Sequence, residues 1–276
     1  MFKMRFVACM AVLIGLGTAV QAQTTITTTI SPVNCKLDPA DAAPATPSMG
    51  GGIAAAGSNK FGQAYNNFLP LAQKGDAEAQ RRLGNLLMRC AGHEDQELGL
   101  GWLSKAADAG DTQAAYMLGT RYMNGAGVTQ DDDKAFALVS KAAQAGMMEA
   151  QGTLGYLYSA GRGTQTDAYQ AVVWTVKAAE QGGVISLFNI ARDYSEGAGL
   201  PQDNDKAFYY MSTAFVRTPP NQRGKFATLI NGIAAKLNLR DRQDAARRAL
   251  NWAPGKDSLS DVLNDAKKSQ KQNGKG

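Results

Sequence analysis

The chain's 276 residues suffice for one elongated repeat domain or about two ordinary domains, and 44% apolar residues allow a packed core. The net charge of +5 is unevenly placed: residues 23–216 carry 14 Lys+Arg against 19 Asp+Glu, and residues 217–276 carry 13 against 5. That split excludes a uniformly basic, nucleic-acid-coating protein. It leaves a mildly acidic body and a basic C-terminal segment, read either as a docking surface or as an ordinary solvated helix face.

Residues 1–22 read as an export signal. Lys3 and Arg5 precede an apolar run from Phe6 to Ala19, and Val20-Gln21-Ala22 puts small residues at the −3 and −1 positions of a cleavage site. The run is too short for a first reading as a membrane span, although an uncleaved anchor is the alternative. Cleavage predicts a periplasmic or secreted protein with no stable membrane insertion. It leaves Cys35 and Cys90 in an oxidising compartment, where the two are expected to pair. Two free thiols or an intermolecular bridge are the alternatives. A bridge spanning about 55 residues would stabilise by roughly 4 kcal/mol in the chain-entropy model.

Residues 23–59, with TTITTT, DAAPATP and MGGGIAAAG, have no helical period and read as a flexible leader. FGQAYNNFLPLAQKGD (61–76) reads as the second helix of a degenerate leading repeat, so the array is taken as 60–218. Four blocks then follow at 76–110, 111–146, 147–182 and 183–218, with a period of 36 residues after a first block of 35. Ala79, Ala114 and Ala150 align, as do Leu83, Leu118, Leu154 and Ile190. So do Gly84, Gly119 and Gly155, and then Tyr122, Tyr158 and Tyr194. In the second half of each block Trp102, Leu138, Trp174 and Tyr210 share a position.

Residues spaced 4, 1 and 3 apart share one helix face. Small Ala and Gly let two helices approach, and Leu, Tyr and Trp fill the remaining space. The Gly-x-Gly stretches at 125–127, 161–163 and 197–199 break the first helix of each block. Each block is therefore helix, loop, helix, turn, and the blocks must stack to bury their apolar faces. Residues 219–254 carry the spacing of a capping hairpin, 257–266 that of one more short helix, and 255–276 as a whole reads as a basic, largely disordered tail.

These residues resemble the Sel1-like repeat family, relatives of the tetratricopeptide repeat. The shared pattern is an A-x-x-x-L-G-x-x-Y helix, a G-x-G-V-x-x-D loop, an A-x-x-W/Y-x-x-x-A-A helix and a closing Gly. Copies two and three follow it closely, copy one carries Cys90 where the others have the first loop glycine, and copy four fades after Tyr210. The resemblance implies an all-α fold, a right-handed α/α superhelix (solenoid) that works as a binding scaffold. It implies no ligand. A weaker resemblance is to the flagellar motor proteins MotX, implying a component of the motor ring. It rests on the exported leader, the Cys in N-C-K-L, Cys90 ahead of E-x-G-x-x-W, the few repeats and the basic C-terminus, and the long Gly/Pro leader departs from it.

The sequence offers little chemistry. His93 is the only histidine, which excludes a histidine-rich metal site or a catalytic arrangement needing a second one; it reads as a loop residue. Asp131, Asp132 and Asp133 read as helix caps, since no Ca²⁺ loop follows. Some relatives carry a β-lactamase label, but neither S-x-x-K nor K-T-G occurs, and the Gly-rich loops lack P-loop spacing. No catalytic residue, cofactor or metal is expected. The expected function is binding of another envelope or secreted protein or peptide, with an envelope enzyme or enzyme subunit as the remaining class. In stacked hairpins the first helices line the concave surface. Spacing puts Arg81, Asn85, Tyr116, Thr120, Tyr156, Phe188 and Arg192 on their outward face. Aromatics interleaved with arginine suit protein recognition.

Overall fold

Two residue types punctuate the chain. Asp76, Asp111, Asp131, Asp167 and Asp203 each stand at an N-cap and accept from the backbone N–H three residues on. That satisfies a donor which a helix start leaves orphaned. Glycines with positive φ end the helices: Gly125, Gly161 and Gly197 after first helices, and Gly75, Gly110, Gly146 and Gly182 after second helices. The acidic run at 131–133 thus does capping work, with Asp131 as the cap and the other two in the first turn.

The computed structural model describes residues 44–89, 93–254 and 259–273. These hold thirteen α-helices and no strand. The four blocks are the hairpins α3 (Ala77–Leu87) with α4 (His93–Asp108), α5 (Thr112–Asn124) with α6 (Asp132–Gln144), α7 (Met148–Ala160) with α8 (Ala168–Glu180), and α9 (Val184–Glu196) with α10 (Asn204–Arg217). Through the array each helix packs on the one before it and the one after it, the arrangement of an α/α superhelix. Ala79, Leu83, Ala114, Leu118, Ala150, Leu154 and Ile190 are all buried between paired helices. Each buried Leu or Ile contributes about 1.5–3 kcal/mol. His93 opens α4, rather than lying in a loop.

The N-terminal reading needs correction. Residues 23–59 were expected to be a flexible leader, but Met49–Gly57 forms helix α1, which packs on α2 (Phe61–Gln73). The leading unit is therefore a whole hairpin. Its cause is tertiary. Gly52 leaves room for the Phe68 ring, which a Cβ would meet at 2.3 Å. Ser48 caps Gly51, and its own amide donates to Asn67 Oδ1 at 3.0 Å. A weak local propensity is overridden by burial of Phe68.

The C-terminus needs the second correction. After a 3-10 turn at Pro220–Gln222 come α11 (Gly224–Ala234) and α12 (Leu239–Asn251), packed on α10. The segment 255–276 was expected to be largely disordered, yet Ser260–Asn273 forms α13, which folds back onto α8. Leu259, Val262 and Ala266 are buried there, so even a polar sequence finds an apolar seat. The expected export signal at 1–22, Cys35 and Cys90 lie outside the described residues. Among the described residues no helix is long and apolar enough to cross a membrane.

Candidate interaction surface

The first helices α3, α5, α7 and α9 each carry two aligned positions, four residues apart, at which the sequence spacing predicts an outward face. The earlier position is Arg81, Tyr116, Gly152 and Phe188; the later is Asn85, Thr120, Tyr156 and Arg192. The two lines have different fates.

The earlier line joins neighbouring repeats. Arg81 Nε donates to Asp111 Oδ2 at 2.9 Å, so the N-cap of α5 also binds α3, the first helix of the preceding repeat. The Tyr116 hydroxyl lies 3.2 Å from Thr153 Oγ1 of α7. Burial raises the pKa of that phenol, and Glu149 adds to the effect. Gly152 leaves room for Ser186 of α9, whose Oγ would lie 3.3 Å from an added Cβ. The ring of Phe188 packs 5.1 Å from that of Phe226 on α11. Arg81, Tyr116 and Phe188 are therefore largely engaged in inter-repeat contacts.

In the later line Asn85 is exposed, and Thr120, Tyr156 and Arg192 are partly buried, as the earlier residues are. The Tyr156 phenol is hydrogen-bonded with Arg162. The Thr120 hydroxyl donates to Met117 O one turn back. Arg192 lies 3.4 Å from the carboxylate of Asp193. Burial pushes the Asp193 carboxyl up to about 7, and the positive charge of Arg192 opposes that rise. The line thus presents an amide, a hydroxyl, a phenol and a guanidinium, one per repeat. Groups of this kind can hydrogen-bond an extended chain and supply the Tyr and Arg anchors that protein interfaces favour.

Sequence spacing did not reveal a second cluster. Asp265 of α13, 7% exposed, accepts from the Tyr194 hydroxyl at 3.0 Å and from Lys206 Nζ. Burial alone would raise its pKa, but hydrogen bonds from Lys206, Lys268 and Tyr194 outweigh that and hold the carboxyl below its ordinary range. Tyr194 and Tyr210 stack at 5.8 Å, and burial raises both phenols further. The available signal was the pairing of Asp261 and Asp265 with Val262 and Ala266, each four residues apart, which marks an amphipathic helix. A further inter-repeat tie runs from Arg162 to Asp132 and to the carbonyl of Met123.

The family model "Sel1 repeat" matches residues 77–111, 112–147, 149–183 and 184–215, the four hairpins above. A Sel1 repeat protein from Oxalobacter formigenes is 24% identical, with 80% of this chain and 84% of that chain covered and a TM-score of 0.60. A protective antigen of uropathogenic Escherichia coli strains with an SLR fold is 26% identical, with 76% of this chain covered and a TM-score of 0.46. The chain spans about half of that antigen, 51%. No curated protein matches.

Proposed function

The chain belongs to the Sel1 repeat family, and on that premise we propose that it is a periplasmic or secreted scaffold that holds a protein or peptide along the concave face of its first helices. The observation that carries this reading is the contrast between the two lines. The earlier positions tie neighbouring repeats together, while one turn further along Asn85, Thr120, Tyr156 and Arg192 set an amide, a hydroxyl, a phenol and a guanidinium at one position of successive first helices. In solenoids a binding surface of this kind extends along the stacking axis and gains one contact set per repeat. The export reading of residues 1–22 supports the compartment, and a Cys35–Cys90 bridge would be compatible with it.

The test is a pulldown from envelope extract with the purified chain and with the double variant Tyr156→Ala/Arg192→Ala. Loss of the recovered partner in the variant, with an unchanged melting profile, supports the assignment. Recovery of the same partner by the double variant refutes it.

A further inference from the structure

α13 occupies the groove between α8 and α10, antiparallel to both. The Leu259 amide lies 3.4 Å from Glu180 Oε1 at the end of α8. Asp261 lies 3.4 Å from the Tyr210 hydroxyl midway along α10, and Asp265 reaches Lys206 near its start. Leu259, Val262 and Ala266 share one buried cluster with Val172 and Val176 of α8. At the centre is a lysine–tyrosine pair, with Lys206 Nζ 5.2 Å from the Tyr194 ring centroid, and the Asp265 carboxylate closes it.

The repeat carries this groove to a second place. Seventy-two residues upstream, Tyr122 stands for Tyr194, Lys134 for Lys206, Leu138 for Tyr210, and Leu100 and Ser104 for Val172 and Val176. These residues belong to α4, α5 and α6. Lys134 Nζ lies 5.2 Å from the Tyr122 ring centroid, the same distance as in the filled groove. It pairs with Asp131 at the start of its own helix, at 3.1 Å, and its side chain is 62% exposed against 30% for Lys206. Leu100, Leu138 and Tyr122 are partly buried. The groove between α6 and α8 breaks the pattern. Gln170 replaces the lysine there, and Phe136 stands edge-on to Tyr158 at 5.3 Å.

We propose that the α4/α6 groove docks an amphipathic helix of a partner protein. The helix would place small apolar residues against Leu100 and Leu138 and a carboxylate on the Lys134–Tyr122 pair, as α13 does between α8 and α10. The helix already seated in the equivalent groove and the charge complementarity of the pair carry this assignment. An ammonium has three donors, so Lys134 can keep Asp131 and still take a partner's carboxylate, as Lys206 takes both Asp261 and Asp265. The site lies on the second-helix side and is independent of the first-helix line.

The probe is a fluorescently labelled peptide of residues 259–273, titrated into the purified full chain and followed by anisotropy. Saturable binding is expected, weakened at least tenfold by Lys134→Glu, severalfold by Tyr122→Phe, and at least tenfold by Asp265→Asn in the peptide. Bulk charge predicts the opposite sign for Lys134→Glu, because the peptide carries three lysines against two aspartates. Unchanged circular dichroism melts of the two variants exclude misfolding. Two outcomes would overturn the proposal. One is the absence of saturable binding. The other is binding that survives Lys134→Glu and is altered by Lys206→Glu, which would mean that the peptide exchanges with the resident α13.

Discussion

Alanine substituted for glycine should change sign with position in this fold. Gly155 of α7 faces α8 so closely that an added Cβ would lie 2.6 Å from Thr175 Oγ1, 2.9 Å from Ala171 O and 3.2 Å from Thr175 N. Two of those atoms are backbone, and the Thr175 hydroxyl already donates to Ala171 O at 2.8 Å. The helices must move apart or that bond must break. Overpacking of this kind costs about 1–3 kcal/mol, against about 1 kcal/mol returned by the better helix propensity of alanine. Because backbone must shift, the upper part of the range applies, and Gly155→Ala should lose about 1–2 kcal/mol net. Gly101 lies on the outer side of α4, and an added Cβ would meet nothing within 4 Å. Gly101→Ala should gain about 0.5–1 kcal/mol. At about 2–4 °C per kcal/mol for a chain of this size, the melts should move about 2–8 °C down and about 1–4 °C up respectively. The assay is thermal unfolding followed by circular dichroism at 222 nm, with urea titration as a check. If Gly155→Ala stabilises as Gly101→Ala does, close approach of paired helices is not what the glycine column serves.

Three further outcomes follow from single carboxylates. Asp193 has a folded pKa near 7, raised above its ordinary value, so the folded state holds the proton longer and stability falls as pH rises from about 4 to about 7. Asp193→Asn should match the parent near pH 4 and exceed it by about 2–4 kcal/mol at pH 8; a pH-independent difference in urea titrations would contradict this. Asp265 has the opposite sign, with a folded pKa below its ordinary range, so its contribution is present at neutral pH and lost on acidification. Amides of α13 should therefore exchange hydrogen faster than those of α10 below about pH 4, and at pH 7 in Asp265→Asn; equal protection of both helices would refute the clamp. Asp111→Ala removes both the cap on Ala114 N, at 2.8 Å, and the acceptor of Arg81, at 2.9 Å, and should cost about 1–2 kcal/mol in the urea midpoint, whereas Asp133→Ala should cost far less.

The repeat array was legible because each of its determinants is local. Ala114, Leu118 and Gly119 are spaced for one helix face, Asp111 and Asp131 mark helix starts, and Gly125 marks an end, all within one 36-residue window. What stayed hidden depends on partners far along the chain. MGGGIAAAG has no apolar period, and as helix α1 it is held by Phe68 against Gly52 and by Asn67 on Ser48, partners on the next helix. SDVLNDAKKSQKQN is polar overall, and its seat is built by Tyr194 and Lys206, which meet Asp265 across 71 and 59 residues. The outward face of the first helices was half legible. Spacing within a hairpin predicts an outward face for Arg81, Tyr116 and Phe188. It carried no information on how the next unit stacks, and the next unit supplies Asp111, Thr153 and Phe226 as their partners. Asn85, Thr120, Tyr156 and Arg192 sit one turn further along their helices.

The central claim is that a partner lies along that later line. The most direct test places a photo-crosslinking amino acid, one position at a time, at Asn85, Thr120 and Tyr156, and at Arg247 of α12, an exposed control on the capping hairpin. Cells expressing each variant are irradiated and the adducts read by mass. One common adduct from the three first-helix positions, absent at Arg247, is the predicted result. Adducts at Arg247 with none at the other three would contradict the account.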